Sequence, residues 1–448
     1  MSRYMDKRLH VSAIKEELRD VVVAGRIMSI RKMKNYCFCD IKDATGVVQL
    51  IISTSGGVIQ PGVGDIVLVN GSTTRTRAGQ LSIECTGIEV LSNSNSDVLN
   101  AIKSANSPGL AVREQRSLNL MVNSDLQKMV KARSILISTI RDHFRDNEFL
   151  DIDTPVMSYS RFAGTADVFE TKSRTLDRNL YLRGTLEDYL KQLVVAGFEK
   201  VFQVGDCFRN ESPALIEFTM LEATWAYAKS EQMLSLIQAL IVRICESLPD
   251  ELVDISARDE LRKKIDIVTF WGVLEEYFGD DIRTLEYEKV NELAKKEGYE
   301  YPKTGKPEYE LAKFGYDVIK RNLAHAFKVP TFVGRFPACI SPLAREMKDG
   351  SGEADRGYSF FRGQRLFEVV EEASNYEEQL SKFEAQDSRG KDREYSFKHD
   401  DLLKSLSYGC PPMAGLGFNI NRVLAVLLNV NRTSDVVAFP LTSAALPL

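Results

Sequence analysis

Leu180-Tyr181-Leu182-Arg183, Phe208-Arg209-Asn210-Glu211, Glu217-Phe218-Thr219-Met220-Leu221-Glu222 and, far downstream, Gly415-Leu416-Gly417-Phe418-Asn419-Ile420-Asn421-Arg422 decide how this chain is read. Arg209 and Arg422 are guanidiniums set into apolar, strand-like runs. A guanidinium withdrawn from water needs an anion, and carboxylate or polyphosphate matches its fork. Glu187, Glu211 and Glu222 are acids able to fix an amine, while Gly415 and Gly417 let a ligand lie against strand backbone. Taken singly, each of these residues reads better as half of an internal ion pair or as a helix-capping glycine. The ordered set points to one site that handles an anion and an amine together.

Outward from these runs, the surroundings mix strand and helix. Ser124 opens a long helix with Val130, Ile137, Ile140 and Phe144 on one face, ending near Asn147, and Thr154-Pro155 breaks the short strand that follows. Strand-like Leu180–Arg183, Val201–Phe208 and Ile216–Glu222 alternate with helix-like Leu186–Ala196 and Glu231–Leu248. Residues 265–327 are predominantly helical, and Met413–Ile420 then Asn421–Leu428 make a final strand and helix. Antiparallel hairpins with peripheral helices imply an α+β domain over 124–448.

The N-terminal part differs in period. Val21–Ile27, Tyr36–Ile41, Val47–Ile52, Asp65–Asn70 and Gln80–Leu91 are five short strands separated by turn residues. A five-stranded closed barrel of the OB type, able to bind nucleic acid, accounts for them over 19–94. The segment is net basic in an acidic chain, which fits such a partner but fits a solvated β module as well. Residues 1–18 form an extension, and 95–123, opening rich in Ser and Asn, read as a linker.

Composition sets the outer limits. The chain has 448 residues, 44% hydrophobic, with 58 Lys plus Arg against 63 Asp plus Glu and a net charge of -5. That length implies two or three domains. The balance excludes a globally basic nucleic-acid coat but not a local patch. No apolar run reaches membrane length, and the charged start, Met1 to Glu17, lacks a signal core. Seven scattered cysteines suggest free thiols in a reducing, cytoplasmic setting, and four histidines without Cys/His spacing give no zinc site.

The quoted runs resemble class II aminoacyl-tRNA synthetases of the lysyl, aspartyl and asparaginyl subgroup, the lysyl-tRNA synthetase branch above all. Arg133-Ser134 through Thr154-Pro155 is similar to the first, dimer-forming motif, Phe208–Glu222 to the second and Gly415–Arg422 to the third. The resemblance covers about 20–440 and implies an OB-fold anticodon-binding domain before an antiparallel-sheet catalytic domain. The activity implied is ATP-dependent activation of lysine, or a related amine-bearing amino acid, to the adenylate, then transfer to tRNA. It also implies a homodimer. By resemblance, Arg209 bridges the substrate carboxylate and the α-phosphate, Glu211 takes the adenine amine, and Phe218 and Arg422 sandwich the base, Arg422 also meeting the γ-phosphate. Gly164, Glu187 and Glu222 match positions at the α-amino group, and Glu372 the acid at the lysine ε-ammonium, with Glu368 and Gly417 lining the amino-acid site. Arg31, Phe38 and Gln49 match anticodon-reading positions. Phe38 reads equally well as a barrel-core residue.

Several positions depart from the subgroup. Ser212–Ile216 make a short, uncharged loop where basic residues and a histidine are usual, so contact with the tRNA acceptor end should be weak. Tyr358 and Arg365 occupy the two magnesium-glutamate positions, Glu368 an asparagine's, Val370 an aromatic's and Thr224 a tyrosine's, and Asn419 and Asn421 are unusual. Magnesium is therefore expected to arrive on ATP rather than on protein carboxylates, with Arg365 either joining the phosphate clamp or pairing with Glu368 or Glu371. These changes leave two alternatives: a diverged synthetase with another amino acid or acceptor, and a non-catalytic OB-fold nucleic-acid-binding protein.

Overall fold

The computed structural model describes residues 5–16, 18–54, 60–105, 115–160, 167–210, 215–299, 305–387 and 400–441. The chain divides into two compact units, Met1–Ser124 and Asp125–Leu448.

The first unit is a closed five-stranded barrel of order β1-β2-β3-β5-β4. Its strands are β1 Val21–Lys32, β2 Tyr36–Lys42, β3 Val47–Ser53, β4 Ile66–Arg75 and β5 Leu81–Ser92. Alternation fills the interior: Cys37, Cys39 and Ile41 of β2 and Val48, Leu50 and Ile52 of β3 point inward. The stretch read as a linker carries a helix, Ser96–Lys103. Asn95 caps it by accepting from the amides of Asp97 and Val98, so the Ser/Asn composition there marks a helix start as well as a connection.

The second unit is built on an eight-stranded sheet of order β12-β13-β16-β17-β18-β11-β10-β6. The strands are β6 Leu150–Asp151, β10 Lys200–Phe208, β11 Glu217–Ala226, β12 Asp266–Thr269, β13 Thr331–Gly334, β16 Arg356–Phe361, β17 Gln364–Glu371 and β18 Met413–Asn419. Its middle is antiparallel, while the pairs β6/β10 and β12/β13 are parallel. Strands β7 Met157–Ser158, β8 Glu170–Ser173 and β9 Arg178–Leu182 form a smaller sheet, and β14 Phe336–Pro337 pairs with β15 Glu353–Ala354.

The two faces of the large sheet differ in chemistry because side chains alternate. One face carries Leu221, Ala223, Val369, Phe367, Leu416 and Phe418 into the main core beneath helices Ser124–Asp146, Ser230–Ser247 and Ile420–Leu427. Phe367 stacks on both Phe332 and Phe418. The helix Ser124–Asp146 buries Met129, Ala132, Leu136, Ile140 and Phe144, whereas Val130 is 40% exposed. The apolar face is thus rotated from the one the sequence suggests, because Met129 and Ala132 supply its first turns.

Candidate active site

The opposite face of the sheet holds the residues quoted first. Strand register puts Gln203, Glu222, Gly417, Glu368 and Tyr358 in one row across β10, β11, β18, β17 and β16. The next row is Val201, Thr224, Gly415, Val370 and Arg356. Gly417 therefore separates two carboxylates. A Cβ there would meet only the Met220 Cε, at 3.6 Å, so the space between Glu222 and Glu368 is open. Gly415 is closed: a Cβ would collide with Glu372 Oε1, so only glycine lets that carboxylate lie on the strand.

The acids are held individually. Glu222 is buried and accepts from the Thr185 hydroxyl at 3.0 Å and the Leu186 amide at 3.0 Å. Burial, reinforced by Glu187, pushes its carboxyl up to about 8. Glu187 opens helix Glu187–Val195, and one turn later Lys191 reaches back to it. Lys191 Nζ lies 2.5 Å from Glu187 Oε1 and 2.7 Å from Glu372 Oε2. Burial by itself would lower the Lys191 ammonium, but the two carboxylates outweigh it and raise it. Burial raises Glu372 while Lys191 pulls it back, and an ionised pair is what the 2.7 Å separation implies.

Beyond the acids stand guanidiniums. Arg209 donates through Nε and Nη2 to Gly184 O, both at 3.2 Å, and lies 5.3 Å from the Phe218 ring centroid. Arg422 sits in the first turn of helix Ile420–Leu427, where Asn419 caps the helix by accepting from the Arg422 amide at 2.9 Å. Its Nη1 donates to Arg365 O at 3.1 Å. Burial, then the charges of Arg365 and Arg209, lowers the Arg422 guanidinium to about 10. Arg365 donates to the Tyr316 hydroxyl at 2.8 Å and lies 4.4 Å over the Tyr358 ring. Arg356, on the other side, pairs with Glu368 at 2.6 Å and donates to the Tyr358 hydroxyl.

A row of acids beside a group of guanidiniums suits an amino acid next to a polyphosphate, and the comparisons with known proteins identify the architecture. Residues 111–443 match the family described as tRNA synthetases class II (D, K and N), and residues 21–91 match the OB-fold nucleic acid binding domain. The chain belongs to the class II tRNA synthetases of the D, K and N group. It is 31% identical to a lysine--tRNA ligase of Actinobacillus pleuropneumoniae over 96% of this chain and 88% of that protein. A lysine--tRNA ligase of Moorella thermoacetica is also 31% identical, over 95% of this chain and 89% of its own length. A protein of Methanosarcina acetivorans named lysine--tRNA ligase 2 is 32% identical over 95% of this chain and 86% of its own.

For this class II synthetase, most of the site residues named from sequence fall on one sheet face. Arg209, Phe218, Glu187, Glu222, Glu368, Gly417, Glu372, Arg365 and Arg422 all belong to it or its rim. Glu211, Gly164 and most of the short loop lie outside the described residues. Arg183, one of the quoted run, is buried and donates to Asp206 O at 2.7 Å and Thr154 O at 2.9 Å, which makes it a tie between β9 and the sheet. Asn421 is a brace, accepting from Arg133 at 3.3 Å and from the Thr219 amide at 3.4 Å. Glu371 points away, engaged by Arg345 and by the Ser230 amide. Arg365 therefore pairs with neither Glu368 nor Glu371, since each already has its own arginine. Lys191 was missed from sequence, though its i, i+4 spacing from Glu187 was a usable signal.

The magnesium positions of the resemblance do not fit a protein-held cation. A guanidinium cannot ligate a metal, the Tyr358 hydroxyl is engaged by Arg356, and burial pushes that phenol far up. Among the described residues, no three His, Cys, Asp or Glu side chains are grouped to hold a metal ion.

In the barrel, β2 points Phe38 outward, so it is not a core residue. Arg31 stands directly across from Phe38, and Gln49 across from Asp40, on the same outer face. Gln49 is only 4% exposed and its carbonyl accepts from Ser82 at 3.1 Å, so little of this side chain is open to a base edge.

Proposed function

We propose that the protein activates lysine, or a related amine-bearing amino acid, with ATP and transfers it to tRNA. The observation that carries this is the row of Glu222, Gly417 and Glu368 beside Glu372, an amine-binding floor next to Arg209. Little covalent help is needed, because positioning and charge stabilisation dominate such a displacement. In this reading, Glu222 and Glu187 hold the α-ammonium, Glu372 takes the side-chain ammonium, and Arg209 bridges the attacking carboxylate and the α-phosphate. Phe218 stacks on adenine, with Arg422 over its other face. Magnesium arrives on ATP. The names of the relatives and the OB-fold barrel support tRNA as acceptor.

A homodimer completes the reading. Leu150, in the first-motif segment after the long helix, and Val156, Met157 and Tyr159, just beyond that segment, are 43–59% exposed. Such apolar surface needs a cover, and an isologous copy is the commonest. A monomer in sedimentation at micromolar concentration would contradict it. Seven free cysteines support a reducing, cytoplasmic setting.

The activity test is ATP–pyrophosphate exchange scanned over lysine, its amino-substituted analogues, aspartate and asparagine, with and without tRNA. Exchange with lysine or its analogues is expected. Exchange with aspartate or asparagine alone defeats the reading.

A further inference from the structure

Three guanidiniums, those of Arg209, Arg365 and Arg422, share one side of the site. Among the described residues, no carboxylate lies within ion-pair distance of any of them. Arg209 is held by the carbonyl of Gly184, Arg422 by the carbonyl of Arg365, and Arg365 by the hydroxyl of Tyr316. Every one of these partners is neutral. The acids that could have neutralised Arg365 are committed elsewhere, Glu368 to Arg356 and Glu371 to Arg345. Burial, with the like charges of Arg365 and Arg209 nearby, lowers the Arg422 guanidinium.

A protein gains nothing by gathering three like charges away from water unless an anion joins them. The packing also holds Arg365 in place. Tyr358 lies between two guanidiniums, Arg356 at 5.0 Å and Arg365 at 4.4 Å from its ring. Tyr316, from helix Pro307–Arg321, tilts against the same ring with centroids 5.8 Å apart and fixes Arg365 through its hydroxyl. Arg356 is neutralised by Glu368 in this stack and Arg365 is not. The stack thus pre-orients one guanidinium that has no carboxylate paired to it, and Arg422 donates to the backbone carbonyl of that same residue.

We infer that Arg365 is a phosphate ligand, and that Arg209, Arg365 and Arg422 together grip the polyphosphate of the nucleotide and the leaving pyrophosphate without a divalent ion held by the protein. A guanidinium carries fixed charge and binds phosphate oxygens in pairs, so it supplies the neutralisation that a bound cation would give. Tyr316 and Tyr358 are positioning residues for it. The inference rests on the adenylation reading and is tested separately from it.

The experiment is isothermal titration of the full chain with inorganic pyrophosphate in EDTA and again with magnesium, alongside AMP as a probe of the adenine pocket. Pyrophosphate should bind in EDTA. Arg365→Met should weaken it at least about tenfold while AMP affinity and the melting temperature hold, which shows the variant is folded. Arg365→Lys should recover part of the loss, and Tyr316→Phe should weaken pyrophosphate but not AMP. Pyrophosphate binding only with magnesium, or equal binding by Arg365→Met, overturns the clamp while AMP binding leaves the adenylation reading standing. Failure of wild-type protein to bind AMP or pyrophosphate under either condition overturns both.

Discussion

Lys191 Nζ stands 2.7 Å from Glu372 Oε2, with both side chains almost wholly withdrawn from water. The acid that resemblance assigns to a substrate ammonium is therefore already matched by an ammonium of the chain. Lysine can reach Glu372 only by displacing Lys191 or sharing the carboxylate with it. Removing Lys191 leaves the buried Glu372, and the partly exposed Glu187, without their cation, so Lys191→Met should cost about 3–5 kcal/mol in denaturant unfolding. Free lysine should then act as the missing cation. Its melting-temperature increment should be larger in Lys191→Met than in wild type, and larger than that given by norleucine, which has the stem without the amine. Equal increments from the two amino acids would show that the side-chain ammonium does not use this carboxylate.

Glu222 gives the site a pH dependence. Burial lifts its carboxyl from an ordinary value near 4.5 to about 8. A carboxyl raised in the folded state contributes stability that is complete below 4.5 and is lost as pH rises towards 8. Asp188, raised by burial to about 7, acts in the same sense. Glu222→Gln should therefore flatten part of the decline in unfolding free energy between these limits and leave the Asp188 part. Amino-acid affinity should move the other way, increasing as Glu222 ionises up to about pH 8. Binding should release protons, readable as a dependence of the calorimetric heat on buffer ionisation enthalpy. An unchanged stability slope in Glu222→Gln would locate the titration elsewhere.

Local patterns carried most of the fold. The barrel strands and, in the large sheet, β10, β11 and β18 show in alternation and turn residues, whereas β12, β13, β16 and β17 are not read as strands, β13 and β16 being buried on both faces and so without alternation. The long helix was legible in extent but not in phase, since Val130 looks apolar and yet faces out while Met129 and Ala132 face in. The helix capped by Asn95 was hidden because Ser and Asn mark both linkers and caps. Arg209, Glu222 and Arg422 stand out because charge breaks an apolar run. Lys191 does not, because a lysine on a helix is ordinarily a solvated residue. The Arg356–Glu368 pair was beyond reach for another reason: the two lie in neighbouring strands, and only register brings them together.

Gly417 separates the chemistry of the site from the stability of the sheet. Its φ is not in the left-handed region, and an added Cβ meets only the end of Met220, at 3.6 Å. Gly417→Ala should leave unfolding stability unchanged or raise it by up to about 1 kcal/mol. The methyl would stand between Glu222 and Glu368, where the amino acid is proposed to lie, so kcat/KM for exchange should fall about a hundredfold. Gly415→Ala should differ, losing stability as well, since its Cβ collides with the Glu372 carboxylate. If Gly417→Ala keeps full exchange activity, the amino acid does not lie on this row.

The barrel permits a test that leaves the catalytic unit untouched. Phe38 offers an outward ring and Arg31, paired across from it, an exposed charge. Stacking under a base is insensitive to salt, whereas a guanidinium on phosphate releases counterions. Phe38→Ala should weaken an anticodon stem-loop by about 1–3 kcal/mol with no change in the slope of log affinity against log salt. Arg31→Ala should lower the affinity and reduce that slope by about 1. Gln49→Ala should act through Ser82 as much as through RNA, because the hydrogen bond it breaks is internal. Titrating labelled stem-loop across a salt series with each variant separates the three roles. Wild-type affinity in both Phe38→Ala and Arg31→Ala would mean that RNA meets the barrel on a different face.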